Sequence, residues 1–414
     1  PAEPAQAVLR YVEQRSVIAD LVAAGVLITG ADGKLLTEWT SDSLPVPEIM
    51  KVLTPKGKQR DQGDAFVRWI VEIPGRHYSK VWEDPEVREA WIQFLSSQQG
   101  DTGLCMVTGE FVVLAEKHPK GVRSARDGAR LLSSNDTKGY TFRGRFTSAA
   151  QAFGVSSIVT QKAHSALRWL IQRQGSHGDQ VFVAWSTAGK PVPDPLSNSR
   201  DFFAVLDGSA NESGPGDAGQ RFAIQLRSAI AGYRANLDSN DDVVVMGLMA
   251  LKAAKRGRLA ITFYRELKGS EFLDRISAWH ERYAWPQRYS RKDSFTGAPA
   301  PIEIAEAAYG SRISPELRKA TVERLMPCIV DGRPLPRDLV NSCLRRVCNA
   351  VGFDKKEEWE KCLGITCALV CGISKENYQM SLEESRTSRD YLYGRLLAIA
   401  ENIEEGALHI AKES

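Results

Sequence analysis

The pattern of apolar and polar positions predicts the secondary structure of most of the chain. Apolar residues recur at helical spacing in residues 1–29 and 157–174. Short runs of β-branched and aromatic residues predict strands, which lie at 66–73, 180–186, 243–246 and 259–266. The strand signal ends near residue 300, and only helical patterns follow. The sequence therefore predicts an α+β protein, with a mixed α/β domain with antiparallel strands at 1–295 and an all-α helical bundle at 300–414.

The clearest helix start lies at Asp84, which can cap a helix whose first turn contains Pro85 and Glu86. Four apolar residues of this helix share one face that we expect to be buried: Val87, Trp91, Phe94 and Leu95. After this helix, the runs 104–108 and 111–114 flank Gly109 and predict a β-hairpin.

The C-terminal third contains the predicted domain boundary and a long final helix. Residues 284–301 are dense in Pro, Gly and Ser, which predicts a linker. The final helix is predicted to begin near Leu382, and its apolar positions form the seam of a helical bundle: Leu392, Leu396, Ile399, Ile403, Ala407 and Ile410. No Gly or Pro stop follows Ile410, so we expect the natural chain to continue.

Positive charge is concentrated in one segment, residues 117–146, which we call the basic stretch. The whole chain nets only +3, whereas the basic stretch nets +6 because Asp127 and Asp136 are its only acidic residues. Its cations are Lys117, Lys120, Arg123, Arg126, Arg130, Lys138, Arg143 and Arg145. Such a concentration is typical of a surface that contacts phosphates, although a solvated charged face is the alternative.

The end of the basic stretch combines alternation with hydrogen-bonding residues. In residues 141–146, strand alternation places Arg143 and Arg145 on one face and two phenylalanines on the other. The planar guanidinium group can bind a phosphate or a base edge at two points. Residues 133–137 (SSNDT) add small polar side chains, and Gly139 permits close approach of the backbone. Together these features favour nucleic acid over a merely solvated face.

Weaker basic segments lie elsewhere in the chain. The loop at 51–60 carries Lys51, Lys56, Lys58 and Arg60, and a generic solvated loop is an equally good interpretation. The helix at 157–174 is predicted to present Lys162, Ser165, Trp169 and Arg173 on its outer face. Further cations precede a strand or lie in the predicted linker: Lys255, Arg256, Arg258, Arg288, Arg291 and Lys292.

Three common catalytic motifs are missing from the sequence. It has no phosphate loop of the form GxxxxGK[ST], no HExxH and no GxSxG. The seven cysteines form no C-x2-C pair, so buried thiols are favoured over a zinc site. We expect His118 to be an exposed loop residue and His164 to be packed or exposed rather than catalytic. These patterns predict no cofactor, no metal and no enzymatic activity.

Targeting patterns are also lacking in the sequence as printed. The longest apolar run, at 17–28, is interrupted by Asp20 and is too short to span a bilayer. No secretory signal opens the chain, so a cytoplasmic location without a membrane partner is expected.

Five segments of the chain carry a resemblance to a known family: 105–109 (CMVTG), His118-Pro119, 126–146 (RDGARLLSSNDTKGYTFRGRF), 161–170 (QKAHSALRWL) and 388–397 (SRDYLYGRLL). Together these segments resemble the large subunit of the type I-C CRISPR Cascade effector. They occur in collinear order over most of residues 62–414. The resemblance implies a non-catalytic subunit that recognises the protospacer-adjacent motif (PAM) in double-stranded DNA, assists R-loop formation and recruits a separate helicase-nuclease. The implied partners are the crRNA together with backbone, crRNA-processing and small subunits.

Individual roles follow from side-chain chemistry rather than from the resemblance. We expect Asn135, Thr137 and Lys138 at or near base edges. The residues expected to hold phosphates are Lys120, Arg123, Arg126, Arg143 and Arg145. The weaker candidates for phosphates of the displaced strand are Lys51, Lys56, Lys58, Arg60, Lys162, Arg288, Arg291 and Lys292. Two other functions stay open: a crRNA-processing endoribonuclease, and a scaffold that contacts only RNA or neighbouring subunits.

Overall fold

The structure is a computed structural model in which backbone contacts divide the chain into two units. The N-terminal unit comprises residues 1–116, and the C-terminal unit comprises residues 117–414. The structure describes residues 2–40, 45–53, 59–97, 100–124, 127–132, 146, 151, 153–174, 180–204, 218–250, 258–290, 293–374, 378 and 382–413. The predicted functional division at 295–300 stays a prediction.

The N-terminal unit contains short helices and a small hairpin. Its elements are α1 (Glu3–Glu13), α2 (Val17–Ala23), α3 (Glu48–Val52), α4 (Pro85–Ser97), β1 (Thr102–Leu104) and β2 (Phe111–Val113). Helix α4 begins as predicted, because the Glu86 N–H donates to the Asp84 carboxylate at 2.8 Å. Strands β1 and β2 pair antiparallel, and Gly109 between them has a φ of 73° that suits a residue without a Cβ. The predicted hairpin is confirmed, with pairing that begins at Thr102.

Three expectations for this unit are wrong in detail. The helical pattern of 1–29 breaks after Glu13, where Arg15 adopts a left-handed backbone with a φ of 57°. The segment 66–73 makes one isolated bridge, Ile70 with Lys80, instead of a strand. The apolar face of α4 is exposed, with Trp91 58% accessible, because no second layer packs on it within the described residues.

The C-terminal unit contains a three-stranded sheet, a second hairpin and the longer helices. The elements before the second hairpin are α5 (Ser157–Gln174), β3 (Gln180–Ser186), α6 (Ser199–Ala204), α7 (Ala218–Asn236), β4 (Asp242–Ala250), β5 (Leu259–Lys268) and α8 (Gly269–Arg282). The hairpin and the elements after it are β6 (Trp285–Arg288), β7 (Ser294–Gly297), α9 (Pro301–Tyr309), α10 (Pro315–Val330), α11 (Arg337–Val347), α12 (Lys356–Ile373) and α13 (Arg389–Glu413). Antiparallel sheets and a helical C-terminal part confirm the predicted α+β class.

The sheet β3-β4-β5 is antiparallel, and its strands β3 and β4 are covered on both faces. Alternate side chains of each strand enter different hydrophobic cores: Phe182 and Val245 contribute to one, and Val183 and Leu248 to the other. Helices α7 and α8 cover the first face, and α5 covers the second. Two covered faces explain why β3 and β4 are nearly continuous apolar runs, whereas β5 exposes Ile261 and Tyr264.

The larger core also includes the helices that follow the sheet. Apolar side chains of α9, α10, α11 and α12 belong to the same buried cluster as those of β3 and β4. Helix α10 begins with a side-chain cap, since the Leu317 N–H donates to the Ser314 hydroxyl at 3.2 Å. The core of the C-terminal unit is therefore continuous from the sheet into the helical region.

The predicted linker at 284–301 is wrong, because these residues form the hairpin β6-β7 and enter the core. Gln287 is 1% exposed, and its amide donates to the carbonyls of Gly297 and Gly364. A Cβ at Gly297 would collide with Ser199, so this glycine serves close packing. A high content of Pro, Gly and Ser is typical of linkers. In this hairpin, however, it allows close contact between elements.

The final helix and the cysteines complete the unit. Helix α13 begins at Arg389, later than predicted, and its seam residues Leu396 and Ile403 are exposed.

Cys328, Cys343 and Cys362 are buried free thiols, as expected, whereas Cys348 is exposed. Burial raises the pKa of the Cys343 thiol to about 12, so this group is neutral.

Candidate nucleic-acid interface

The basic stretch enters the C-terminal unit along the edge of the large sheet. Of its residues the structure describes 117–124, 127–132 and 146. Lys120 pairs with Arg130 in an antiparallel bridge, and Arg130 pairs with Arg258 in a parallel bridge. The Leu259 N–H donates to the Arg130 carbonyl at 3.0 Å. Arg130 thus lies beside the beginning of β5, at the edge of the three-stranded sheet, and Lys120 lies beside Arg130.

Apolar residues within the basic stretch anchor it to the sheet. Val122 and Ala129 are buried in the same small core as Leu259. Because neighbouring residues of extended chain face opposite sides, burial of Ala129 and Leu259 directs Arg130 and Arg258 outward. The described cations Lys120 and Arg130 are therefore held on a packed support.

Lys120, Arg130 and Arg258 form what we call the cation ladder. Residues directly opposite one another on neighbouring strands share a face, so the three side chains project from the same side. Lys120 and Arg258 are exposed, and Arg130 is half-buried. Within the described part of the chain, no ion pair involves any of the three side chains.

The loop between two rungs of the ladder contains an internal ion pair. The Arg123 guanidinium donates to the Asp127 carboxylate at 2.7 Å, and their side chains are only 10% and 9% exposed. Burial raises the pKa of Asp127, but the hydrogen bonds from Arg123 and from the Ala129 N–H outweigh it and lower that pKa overall. Arg123 is thus directed at its own loop, and its expected contact with phosphate stays a prediction.

Two histidines lie buried behind the exposed face. His118 Nδ1 lies 3.0 Å from the Thr160 hydroxyl, and His164 Nδ1 lies 2.7 Å from the Thr160 carbonyl. The expectation of an exposed His118 is wrong, because its ring packs edge-on against Phe153 and is 4% accessible. Burial, together with the charges of His164 and Arg130, lowers the pKa of His118. His118 therefore adds no positive charge to this surface at neutral pH.

Helix α5 presents the outer face that the sequence predicts. Lys162, Ser165, Trp169 and Arg173 are all exposed. The Arg173 guanidinium lies 4.8 Å from the centre of the Trp169 ring, which is a cation–π contact. Arg168 on the same helix donates to the Lys120 carbonyl at 2.9 Å and connects α5 to the ladder. On the inner side of the helix, His164 is buried.

Three other weaker candidates that the structure describes have contacts of their own. Lys51 forms an ion pair with Glu48 at 2.5 Å. Arg60 donates to the Met50 carbonyl at 2.6 Å, within the N-terminal unit. Arg288 is exposed and lies 3.3 Å from Glu360.

The remaining predicted site residues lie outside the described residues, and their roles stay predictions. They are Lys56, Lys58, Arg126, Asn135, Thr137, Lys138, Arg143, Arg145, Arg291 and Lys292. Conversely, Arg130 and Arg258 were not among the predicted site residues. Their positions beside the apolar residues Ala129 and Leu259 are the sequence signal that could have indicated outward-facing cations.

A hydroxyl–imidazole pair elsewhere in the unit is structural. Ser199 Oγ lies 2.8 Å from His280 Nδ1 and accepts a hydrogen bond from the Ala298 N–H at 2.8 Å. Both side chains are buried in the large core, and His280 stacks on Phe202. Burial lowers the pKa of His280 to about 3. A substrate has no access to this pair.

The described residues offer neither a metal site nor a membrane-spanning helix. No group of three or more His, Cys, Asp or Glu side chains has an arrangement that would hold a metal ion. Among the helices in the described ranges, none combines the length and the apolar character that crossing a membrane requires.

Comparison with known proteins gives one family for this chain. The family model Cas_Csd1, described as a CRISPR-associated protein, matches residues 1–414. No curated protein matches the chain.

Proposed function

The chain belongs to the Cas_Csd1 family of CRISPR-associated proteins, and from this premise we propose that it is the large subunit of a crRNA-guided type I-C surveillance complex. In this role it recognises the PAM in target double-stranded DNA, assists R-loop formation and recruits the helicase-nuclease. It performs no catalysis. Its partners are the crRNA and the backbone, crRNA-processing and small subunits, and the complex acts in the cytoplasm.

The observation that supports this proposal most strongly is the exposed cationic surface of the C-terminal unit. Lys120, Lys162 and Arg173 are exposed on a support of sheet and helix, and the exposed Trp169 lies beside Arg173. Cations contact phosphates, and an exposed ring can stack on an unpaired base. The unit that bears this surface carries 43 Lys and Arg residues against 34 Asp and Glu residues, a net charge of +9.

In the proposed function, the guide RNA reads most of the target sequence and the protein reads the PAM. Base pairing with the guide supplies most of the sequence specificity, so the protein needs to read only a short motif in the duplex. We assign Asn135, Thr137 and Lys138 to the base edges of that motif. We assign Lys120, Arg126, Arg143 and Arg145 to phosphates. The buried ion pair with Asp127 favours a role for Arg123 in shaping the loop.

The buried state of His118 argues against the endoribonuclease alternative. A general base must reach the proton that it removes. His118, the one histidine in the basic stretch, is buried and hydrogen-bonded to Thr160, and its pKa is lowered. This histidine is therefore a poor candidate for a general base in RNA cleavage.

The proposal is tested by replacing Asn135 with Ala in the assembled complex. We expect Asn135→Ala to reduce discrimination between the correct and a mutated flanking motif by about 1–3 kcal/mol, because it removes a base contact. Binding of both target duplexes is measured by titration. Asn240→Ala, at an exposed position in the turn before β4, is the matched control and should leave discrimination unchanged.

A phosphate contact should respond differently from a base contact. Arg143→Ala should weaken binding to both duplexes equally and reduce the slope of log K against log salt by about 1. If Asn135→Ala also weakens both duplexes equally, Asn135 is not a base-reading residue. A wild-type complex that does not discriminate between the two motifs contradicts the proposed function itself.

A further inference from the structure

We propose that the cation ladder of Lys120, Arg130 and Arg258 is a binding site for consecutive phosphates of one nucleic-acid strand. This inference rests on the proposed function, since it identifies where a nucleic acid contacts the C-terminal unit. It adds Arg130 and Arg258 to the site, and it explains why cations that are distant in sequence lie side by side.

The geometry of the ladder suits an extended, repeating ligand. Neighbouring strands lie about 4.8 Å apart, so the three paired residues span about 10 Å. One strand of a duplex carries a phosphate for about every 3.4 Å of helix axis. Where the helix axis lies along the ladder, about three phosphates of one strand therefore fall within its length. The guanidinium groups of Arg130 and Arg258 can each bind two phosphate oxygens, and the Lys120 ammonium acts as a compact point charge.

The charge of the ladder is not balanced within the described part of the chain. Like charges at directly opposite positions of neighbouring strands repel one another. Asp127 is the acidic residue of the adjoining loop, and it is engaged by Arg123 and by the Ala129 N–H. No described ion pair neutralises Lys120, Arg130 or Arg258. A bound polyanion would remove this repulsion.

The support of the ladder is rigid enough to hold these groups in place. Ala129 and Leu259, which adjoin two of the rungs, are buried in one core. The hydrogen bond from Leu259 to Arg130 joins two rungs, and the hydrogen bond from Arg168 joins the third rung to α5. Both hydrogen bonds use backbone carbonyls of the rungs as acceptors, so the cationic side chains of Lys120, Arg130 and Arg258 stay available to a ligand.

Because the ladder contacts phosphates, its effect should not depend on the sequence of the flanking motif. We would replace all three residues with Gln in the assembled complex and measure binding to target duplexes with correct and mutated motifs over a range of salt concentrations. Each lost phosphate contact lowers the slope of log K against log salt by about 0.9, so the triple variant should lose about 2 to 3 from the slope. Affinity should fall by the same factor for both motifs.

Two further variants act as controls. Arg130→Lys with Arg258→Lys keeps the charge and should keep the salt slope. Arg312→Gln removes a highly exposed arginine of the helical region, which lies 3.4 Å from Asp354, and should change neither affinity nor slope. Should the triple variant fail to assemble, the single change Lys120→Gln at an exposed rung still predicts a slope smaller by about 1.

The outcomes separate this inference from the proposed function. If the salt slope is unchanged in the Gln variants, the cation ladder does not bind phosphates and the inference is overturned. If the wild-type complex still discriminates between the two motifs in that case, the proposed function is unaffected. If the slope is reduced in the Gln variants, phosphate binding by the cation ladder is supported. If the wild-type complex does not discriminate between the motifs, the proposed function is contradicted even in that case. If the Gln variants lose a protein subunit but keep the full slope, an acidic protein surface is the ligand and the inference is overturned.

Discussion

The N-terminal and C-terminal units differ in both charge and packing. The N-terminal unit has 11 Lys and Arg residues against 17 Asp and Glu residues and nets −6, whereas the C-terminal unit nets +9. Among the described residues of the N-terminal unit, the buried apolar side chains are Leu27, Met50, Leu53 and Cys105. The C-terminal unit, by contrast, has a core that extends from the sheet through four later helices.

This difference shows that apolar periodicity alone does not produce burial. Helix α4 and helix α5 both carry apolar residues at helical spacing. On α5, Leu167 and Ile171 are buried because the face of a sheet lies opposite them. On α4, Trp91 and Phe94 are exposed, and their rings lie 5.6 Å apart on the surface. A helix buries its apolar stripe only where a second layer is available.

The largest effect should come from one pair of matched substitutions. Phe272 is fully buried in the C-terminal unit, and Phe66 is 100% exposed in the N-terminal unit. Phe272→Ala should lower the free energy of unfolding by about 3–5 kcal/mol, since it removes buried area and leaves a cavity. Phe66→Ala should change it by less than about 0.5 kcal/mol. Chemical denaturation of both variants measures the two values, and similar losses would contradict the contrast between the units.

The second expected effect is a pH dependence from buried His280. Its pKa in the folded protein is about 3, against an ordinary value of 6.5, so below pH 6.5 the unfolded state binds a proton that the folded state does not. The contribution is fully present above pH 6.5 and is lost progressively as the pH falls toward 3. At pH 5 the loss should be about 2 kcal/mol.

Denaturation at pH 7 and pH 5 measures this loss. In His280→Asn the difference between the two pH values should shrink, whatever the stability of the variant at pH 7. His77→Asn, which replaces an exposed histidine of the N-terminal unit, is the control and should keep the wild-type difference. An undiminished difference in His280→Asn would rule out His280 as its source.

The smallest expected effects compare one ion pair from each unit. Asp127→Asn in the C-terminal unit should cost about 1–3 kcal/mol, because the nearly buried Arg123 loses its charged partner. Glu48→Gln in the N-terminal unit should cost less than about 0.5 kcal/mol, because Lys51 and Glu48 are largely exposed. Equal costs in denaturation experiments would show that burial of the Arg123 pair is unimportant.

Local patterns predicted those elements whose signals lie within the elements themselves. The Asp84 cap indicated the start of α4, and the glycine at 109 indicated the first hairpin. The outer face of α5 followed from its period. The hairpin at 285–297 was missed because glycine and proline are typical both of linkers and of tightly packed turns. The burial of His118 was missed because its partner Thr160 lies on another element.

For the candidate interface, the concentration of cations in residues 117–146 was evident from composition, and long segments of the same region carried the resemblance to the CRISPR large subunits. The meeting of Arg130 with Lys120 and Arg258 was not evident. Pairing between extended segments depends on backbone hydrogen bonds, which are the same for every residue type and therefore leave little trace in local sequence. Folding of the sheet placed Arg258 beside Arg130, and burial of Ala129 and Leu259 turned both arginines outward.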